Sequence, residues 1–109
     1  MSDLGIHVWT GASGEKYRYG VYMYGTMFGP GPGLYVYARE TKPGQYIPVL
    51  IGQTEDLSAP FSDPVASQCL KSNRVTHVHV RLSNASEEIR RAERSDLIQK
   101  WKPPCNAMG

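Results

Sequence analysis

The chain has 109 residues, with 12 Lys and Arg against 10 Asp and Glu, a net charge of +2 and a hydrophobic fraction of 40%. That length holds one domain with a single core. The balanced charge rules out recognition of nucleic acid by bulk charge, so local clustering has to carry any such function. No apolar run approaches membrane-spanning length, so no membrane segment is expected. The start, Met1-Ser2-Asp3, has no basic stretch followed by an apolar one, which predicts a chain without a leader. Cys69 and Cys105 stand far apart, outside any CxxC or Cys/His ligand spacing. They read as two reduced thiols of a cytoplasmic protein.

Residues 1–14 show little periodicity and read as an N-terminal extension, with Trp9 as a packing anchor and Gly11-Ala12-Ser13-Gly14 as a turn. The alternation from Tyr17 to Tyr24 predicts a strand, with Tyr17, Tyr19, Val21 and Met23 on one face. Its tyrosines either pave the sheet or, beside Arg18, offer rings to stacked bases. The alternating glycines and prolines of residues 25–33 predict a shaped loop, since neither a helix nor a central strand can continue through them. Two β-rich runs, Leu34–Arg39 and Tyr46–Gly52, flank Pro43-Gly44 and predict a hairpin.

Beyond Leu57, Asp63 and Pro64 mark the start of a short helix with Val65, Cys69 and Leu70 on its apolar side. Residues 74–82 alternate and predict a further strand of the core sheet, with Val78 and Val80 inward. Ser83 or Asn84 is expected to cap the last helix, with Glu87 as the capping partner, and Pro103-Pro104 to end it. On that helix Arg94, Ile98 and Trp101 share one stripe, while Glu93 stacks with Ile89 and Leu97. Charges beside an apolar stripe point to a buried ion pair or to a site.

Taken together, Gly33-Leu34-Tyr35, then Leu50-Ile51-Gly52-Gln53-Thr54-Glu55-Asp56-Leu57, then a helix ending Asp96-Leu97-Ile98 before Pro103-Pro104-Cys105-Asn106, resemble the GIY-YIG nuclease superfamily. Trp9, the Gly11–Gly14 turn and Thr76-His77 are similar to a bacterial and phage branch of it. The resemblance runs from Tyr17 to Asn106. It implies an α/β fold with a small central antiparallel sheet flanked by helices, over a single domain at 1–109 with its core at 15–106. It also implies metal-dependent hydrolysis of DNA phosphodiesters. Two tyrosines and an arginine would then orient water and phosphate, a glutamate would hold a divalent ion, and a terminal asparagine would brace the site.

Carried over by position, Tyr35 matches the first tyrosine and Asn106 the asparagine. Leu50 stands where the second tyrosine is expected, Pro60 near the arginine and Arg94 at the metal-binding glutamate. The resemblance therefore implies a GIY-YIG-like domain without catalysis, a binding or regulatory module for a protein partner or nucleic acid. Arg94, Arg90, Arg91, Lys100 and Tyr35 are its candidate binding residues, and no small-molecule cofactor is expected. The alternative is an active Mg²⁺-dependent DNA endonuclease using Tyr35, Asn106 and Glu93 as metal ligand, with Arg74 or Arg39 as a displaced cation. A third reading is a metal or redox site drawn from His77, His79, Cys69 and Cys105.

Overall fold

The hairpin predicted around Pro43-Gly44 is the spine of the structure. In the computed structural model, which describes residues 4–59 and 63–106, β3 (Gly33–Lys42) and β4 (Gln45–Thr54) pair antiparallel across that two-residue turn. Gly44 takes φ +78°, which a residue without Cβ adopts freely. Pro48 sits in β4 opposite Ala38, where the register shifts and Val49 is left as an extra residue; this is tolerated because β4 is an edge strand, where proline is accommodated beside such irregularities.

Three further strands complete an antiparallel sheet among the described residues: β1 (Ile6–Thr10), β2 (Lys16–Met23) and β5 (His77–Leu82), in the order β1-β2-β5-β3-β4. The expected N-terminal extension is therefore part of the sheet. Its pattern is weak because an edge strand leaves Ile6 and Val8 exposed while burying Trp9 to 1%. The sheet is curled. Five flat strands would hold the two edges about 19 Å apart, yet His7 on β1 meets Tyr46 on β4 with ring centroids 5.1 Å apart.

Two helices pack on opposite faces of this compact α/β fold. The first, α1 (Pro64–Ser72), starts as expected: Asp63 caps it by accepting from the amides of Val65 and Ala66, with Pro64 in its first turn. Leu70 and Cys69 seal a small core on the convex face with Val49, Leu50 and Cys105. The second, α2 (Glu87–Trp101), lies on the concave face, where Leu97 joins Trp9, Tyr19, Leu34, Val36, Ala38 and Ile51. Its cap is Ser86, whose hydroxyl accepts from the Ile89 amide, and not Ser83 or Asn84. Ser83 is occupied before the helix begins: its amide donates to Pro32 O and its hydroxyl accepts from the Ala85 amide.

Strand β5 corrects a second expectation. Val78 and Val80 are buried, but so are His77 and His79, because β5 is the middle strand and both of its faces are covered. Trp9 Nε1 donates to His79 Nδ1 at 2.9 Å, which places the imidazole proton on Nε2. His7 and Tyr46 pack edge-on around the same ring cluster. Burial, with His7 and His77 close by, lowers the His79 pKa from 6.5 to about 3. The unfolded chain takes up a proton that the folded chain refuses, so this stability is complete above pH 6.5 and drains away as the pH falls toward 3. Acidification from about pH 7 to pH 5 is expected to cost about 2 kcal/mol. Urea unfolding at the two pH values checks this, and His79→Gln should flatten the dependence.

The two cysteines form a disulfide, with Cα atoms 5.8 Å apart. This replaces the expectation of two reduced thiols, and with it the argument for a reducing compartment. The pairing is a tertiary effect: packing α1 against β4 lays Cys69 under the turn that follows α2. It also separates the cysteines on the convex face from His77 and His79 on the concave face. The four residues of the metal or redox reading therefore do not converge, and no group of three or more His, Cys, Asp or Glu among the described residues is arranged to hold a metal ion. Among the described residues no helix is long and apolar enough to cross a membrane.

Candidate anion-binding cavity

A cavity of about 600 Å³ opens at the exposed edge of β4, between the N-terminal turn of α1 and the middle of α2. Tyr35 from β3, Leu50 and Gly52 from β4, Arg91 and Arg94 from α2, and Asn106 from the C-terminal turn all line it. Four positions singled out from the sequence, Tyr35, Leu50, Arg94 and Asn106, thus meet in one place. Pro60, the fifth, lies outside the described residues.

Gly52 makes room for the tyrosine. A Cβ on it would lie 2.3 Å from Tyr35 Cζ and hydroxyl, so the phenol ring crosses the strand where only glycine leaves space. Burial raises the Tyr35 pKa, and the nearby Arg94 guanidinium partly opposes the shift. Tyr35 therefore stays a neutral phenol at physiological pH. Arg94 is half-buried, and no carboxylate or carbonyl pairs with it among the described residues. Arg91 is exposed and bridges to Glu87, one helical turn back, at 2.6 Å. Asp63 is the acidic member of the lining, and its carboxylate is already taken up by the amides at the start of α1.

The 100° step per helical residue sends the other charges of α2 elsewhere. Glu93 turns into the concave core, where it accepts from the Tyr19 hydroxyl at 2.6 Å and from Arg81 Nε at 3.1 Å. Burial, and then the Glu93 carboxylate, push the Tyr19 phenol up. Arg90 is also internal, 3% exposed, and all its nitrogens are engaged. Nε donates to Gln53, Nη1 to Ala85 O and Nη2 to Glu55. Arg90 is therefore a clamp between α2, the end of β4 and the turn before the helix, and it is not presented on the surface. Arg90, Glu93 and Leu97 stand at i, i+3 and i+7 on the buried side of α2, so this role had a periodic signal. Lys100 is exposed in the last turn and is not part of the cavity lining.

Asn106 braces the edge strand through its side chain. Its amide group donates to Ile51 O at 2.9 Å and accepts from the Ile51 amide at 2.8 Å, which is the pattern a neighbouring strand would supply. Cys105 adds a backbone bond to Val49 O, and the Cys69–Cys105 disulfide anchors the turn to α1. The otherwise unpaired edge of β4 is covered in this way. In the C-terminal half of α2, Asp96 accepts from the Ser13 hydroxyl and amide and from the Tyr17 hydroxyl, and these bonds hold its carboxylate below the usual pKa range. Gly11 leaves space for that contact, since a Cβ there would collide with the Asp96 carboxylate.

A second cavity, about 570 Å³, opens on the convex face. Val78 and Val80 contribute from the central strand, and Tyr24, Phe28, Tyr35 and Tyr37 supply aromatic rings. Tyr35 stands in edge contact with Tyr37, and Tyr37 with Tyr24. From the sequence, the tyrosines of residues 17–24 either pave the sheet or offer rings to stacked bases. The loop after β2 folds back to set Phe28 edge-on to Tyr22, with Phe28 lining the same cavity as Tyr24, a placement the sequence did not signal.

Comparison of the chain with family models, with curated proteins and with solved structures finds no match.

Proposed function

We propose that the domain is a GIY-YIG-like scaffold whose former catalytic cavity now recognises an anionic group on a protein or nucleic-acid partner. The observation that carries this reading is the placement of Arg94, with Arg91, against Tyr35 and Asn106 in one cavity. A guanidinium without a counter-ion among the described residues, in a partly desolvated recess, attracts phosphate or carboxylate and forms charge-assisted hydrogen bonds with it.

The same donor set does not fit a divalent cation. Its cationic side chains are two arginines, its carboxylate is committed to capping α1, and Glu93 is held by Tyr19 and Arg81 on the concave face. Leu50 supplies no hydroxyl where the family pattern has its second tyrosine.

Calorimetric titration with inorganic tripolyphosphate tests the reading. Binding is expected to weaken about ten-fold or more in Arg94→Ala and to fall steeply as salt rises. Unchanged binding in Arg94→Ala would sink it. In parallel, plasmid incubated with Mg²⁺ or Mn²⁺ should remain intact. Nicking by the wild type that disappears in Tyr35→Phe would restore the nuclease alternative.

A further inference from the structure

The anion cavity and the aromatic cavity are neighbours. Tyr35 and Gln53 line both, so one tyrosine ring stands between a cationic recess and an aromatic one. We infer that together they form a bipartite site for a nucleotide unit, with its base among the rings and its phosphate against Arg91 and Arg94. This rests on the anion-binding reading above and adds the chemistry of the group attached to the anion.

The aromatic recess is built and roofed by structure. Its two enclosing segments are tied to the body and to each other: the Leu57 amide donates to Gly31 O at 2.8 Å, and the Ser83 amide donates to Pro32 O at 3.1 Å. Gly25 and Gly31, at φ +97° and +134°, let the loop after β2 turn sharply enough to bring Phe28 over the sheet. The recess, about 570 Å³, is larger than an aliphatic side chain needs and falls in the range of small-molecule sites. Its walls offer ring faces and edges to a planar group.

The polar groups at the wall narrow the choice further. Thr54 lines the wall with its hydroxyl already engaged by the Asp56 backbone, and Ser67 and Tyr24 carry the further hydroxyls beside the rings. A plain hydrocarbon ring would strip water from them and return no hydrogen bonds. A heterocycle with donors and acceptors on its edge replaces the lost water. A nucleotide, either free or in a single strand whose base is unstacked, joins a planar, edge-polar ring to an anion in this way.

Titration with adenosine, guanosine, cytidine and uridine 5′-monophosphates, against ribose 5-phosphate, tests the inference. At least one nucleotide should bind about ten-fold or more tightly than ribose 5-phosphate, which has the anion and sugar without the ring. Phe28→Ala with Tyr24→Ala should erase that preference and leave ribose 5-phosphate binding intact. Arg94→Ala should weaken both ligands. A short single-stranded oligonucleotide identifies the source: tighter binding than the mononucleotide supports a strand, and weaker binding supports the free nucleotide. Equal binding of ribose 5-phosphate and all four nucleotides overturns the base recess while keeping the anion cavity. Failure of every phosphate to bind overturns both. Tighter binding of a phosphotyrosine peptide than of any nucleotide overturns the nucleotide assignment, since that ligand also joins a ring to a phosphate.

Discussion

Reduction of the Cys69–Cys105 disulfide is expected to lower the unfolding free energy by about 4 kcal/mol, from the entropy of opening a loop of this length. The linked residues are 36 apart in sequence, and the loop includes the last turn of α1, all of β5 and all of α2. The bond also holds the turn that carries Asn106 against the β4 edge. Reduction should therefore affect the anion cavity as well as global stability. Urea titration with and without a phosphine reductant measures the first effect, and tripolyphosphate affinity under the same two conditions measures the second. The double variant Cys69→Ser with Cys105→Ser should match the reduced protein and be indifferent to reductant. A wild type whose midpoint ignores reductant would show that the bond carries little of the fold.

Glu93→Ala is expected to destabilise the domain by about 3 kcal/mol. It removes the acceptor of the fully buried Tyr19 hydroxyl and the partner of Arg81, and it opens a void beside Leu97. Partial exposure of Arg81 keeps the loss at the lower end for a broken internal ion pair. Glu93→Gln keeps an oxygen for Tyr19 and should cost about half as much. Thermal or urea midpoints read both. The experiment also separates a structural role for Glu93 from a catalytic one. A metal ligand would lose cleavage on substitution with little change in stability. An internal anchor loses stability and leaves the Arg94 cavity's ligand preference in place.

The charges of α2 show why sequence position alone ranks such residues poorly. Arg90, Arg91 and Arg94 have the same chemistry and lie within five positions, yet Arg90 is an internal clamp, while Arg91, bridged to Glu87, and Arg94 line the Tyr35 cavity. The rotation of the helix assigns these roles, and its packing against β4 sets the rotation. The periodicity of Arg90, Glu93 and Leu97 contained that information, because three residues at i, i+3 and i+7 define a buried stripe whatever their polarity. Polar members made the stripe hard to recognise until Tyr19, Arg81, Gln53 and Glu55 were in place to satisfy them.

Local chemistry in the sequence determined the parts of the fold that local chemistry controls. Pro43-Gly44 set the hairpin, Asp63-Pro64 started α1, Pro103-Pro104 stopped α2, and alternation marked β2 and β5. Each depends on backbone restraint or on a side chain meeting its own neighbours. The tertiary structure alone decided the rest, because each remaining feature joins groups that chain order keeps apart. Such features include the pairing of β1, the curl that brings His7 to Tyr46, the burial of His79 on a two-sided strand, and the Cys69–Cys105 bond. The candidate site divides the same way. Tyr35, Leu50, Arg94 and Asn106 were marked as positions in the chain. Their meeting in one cavity, with an aromatic recess across Tyr35, follows from packing two helices on opposite faces of a curled sheet.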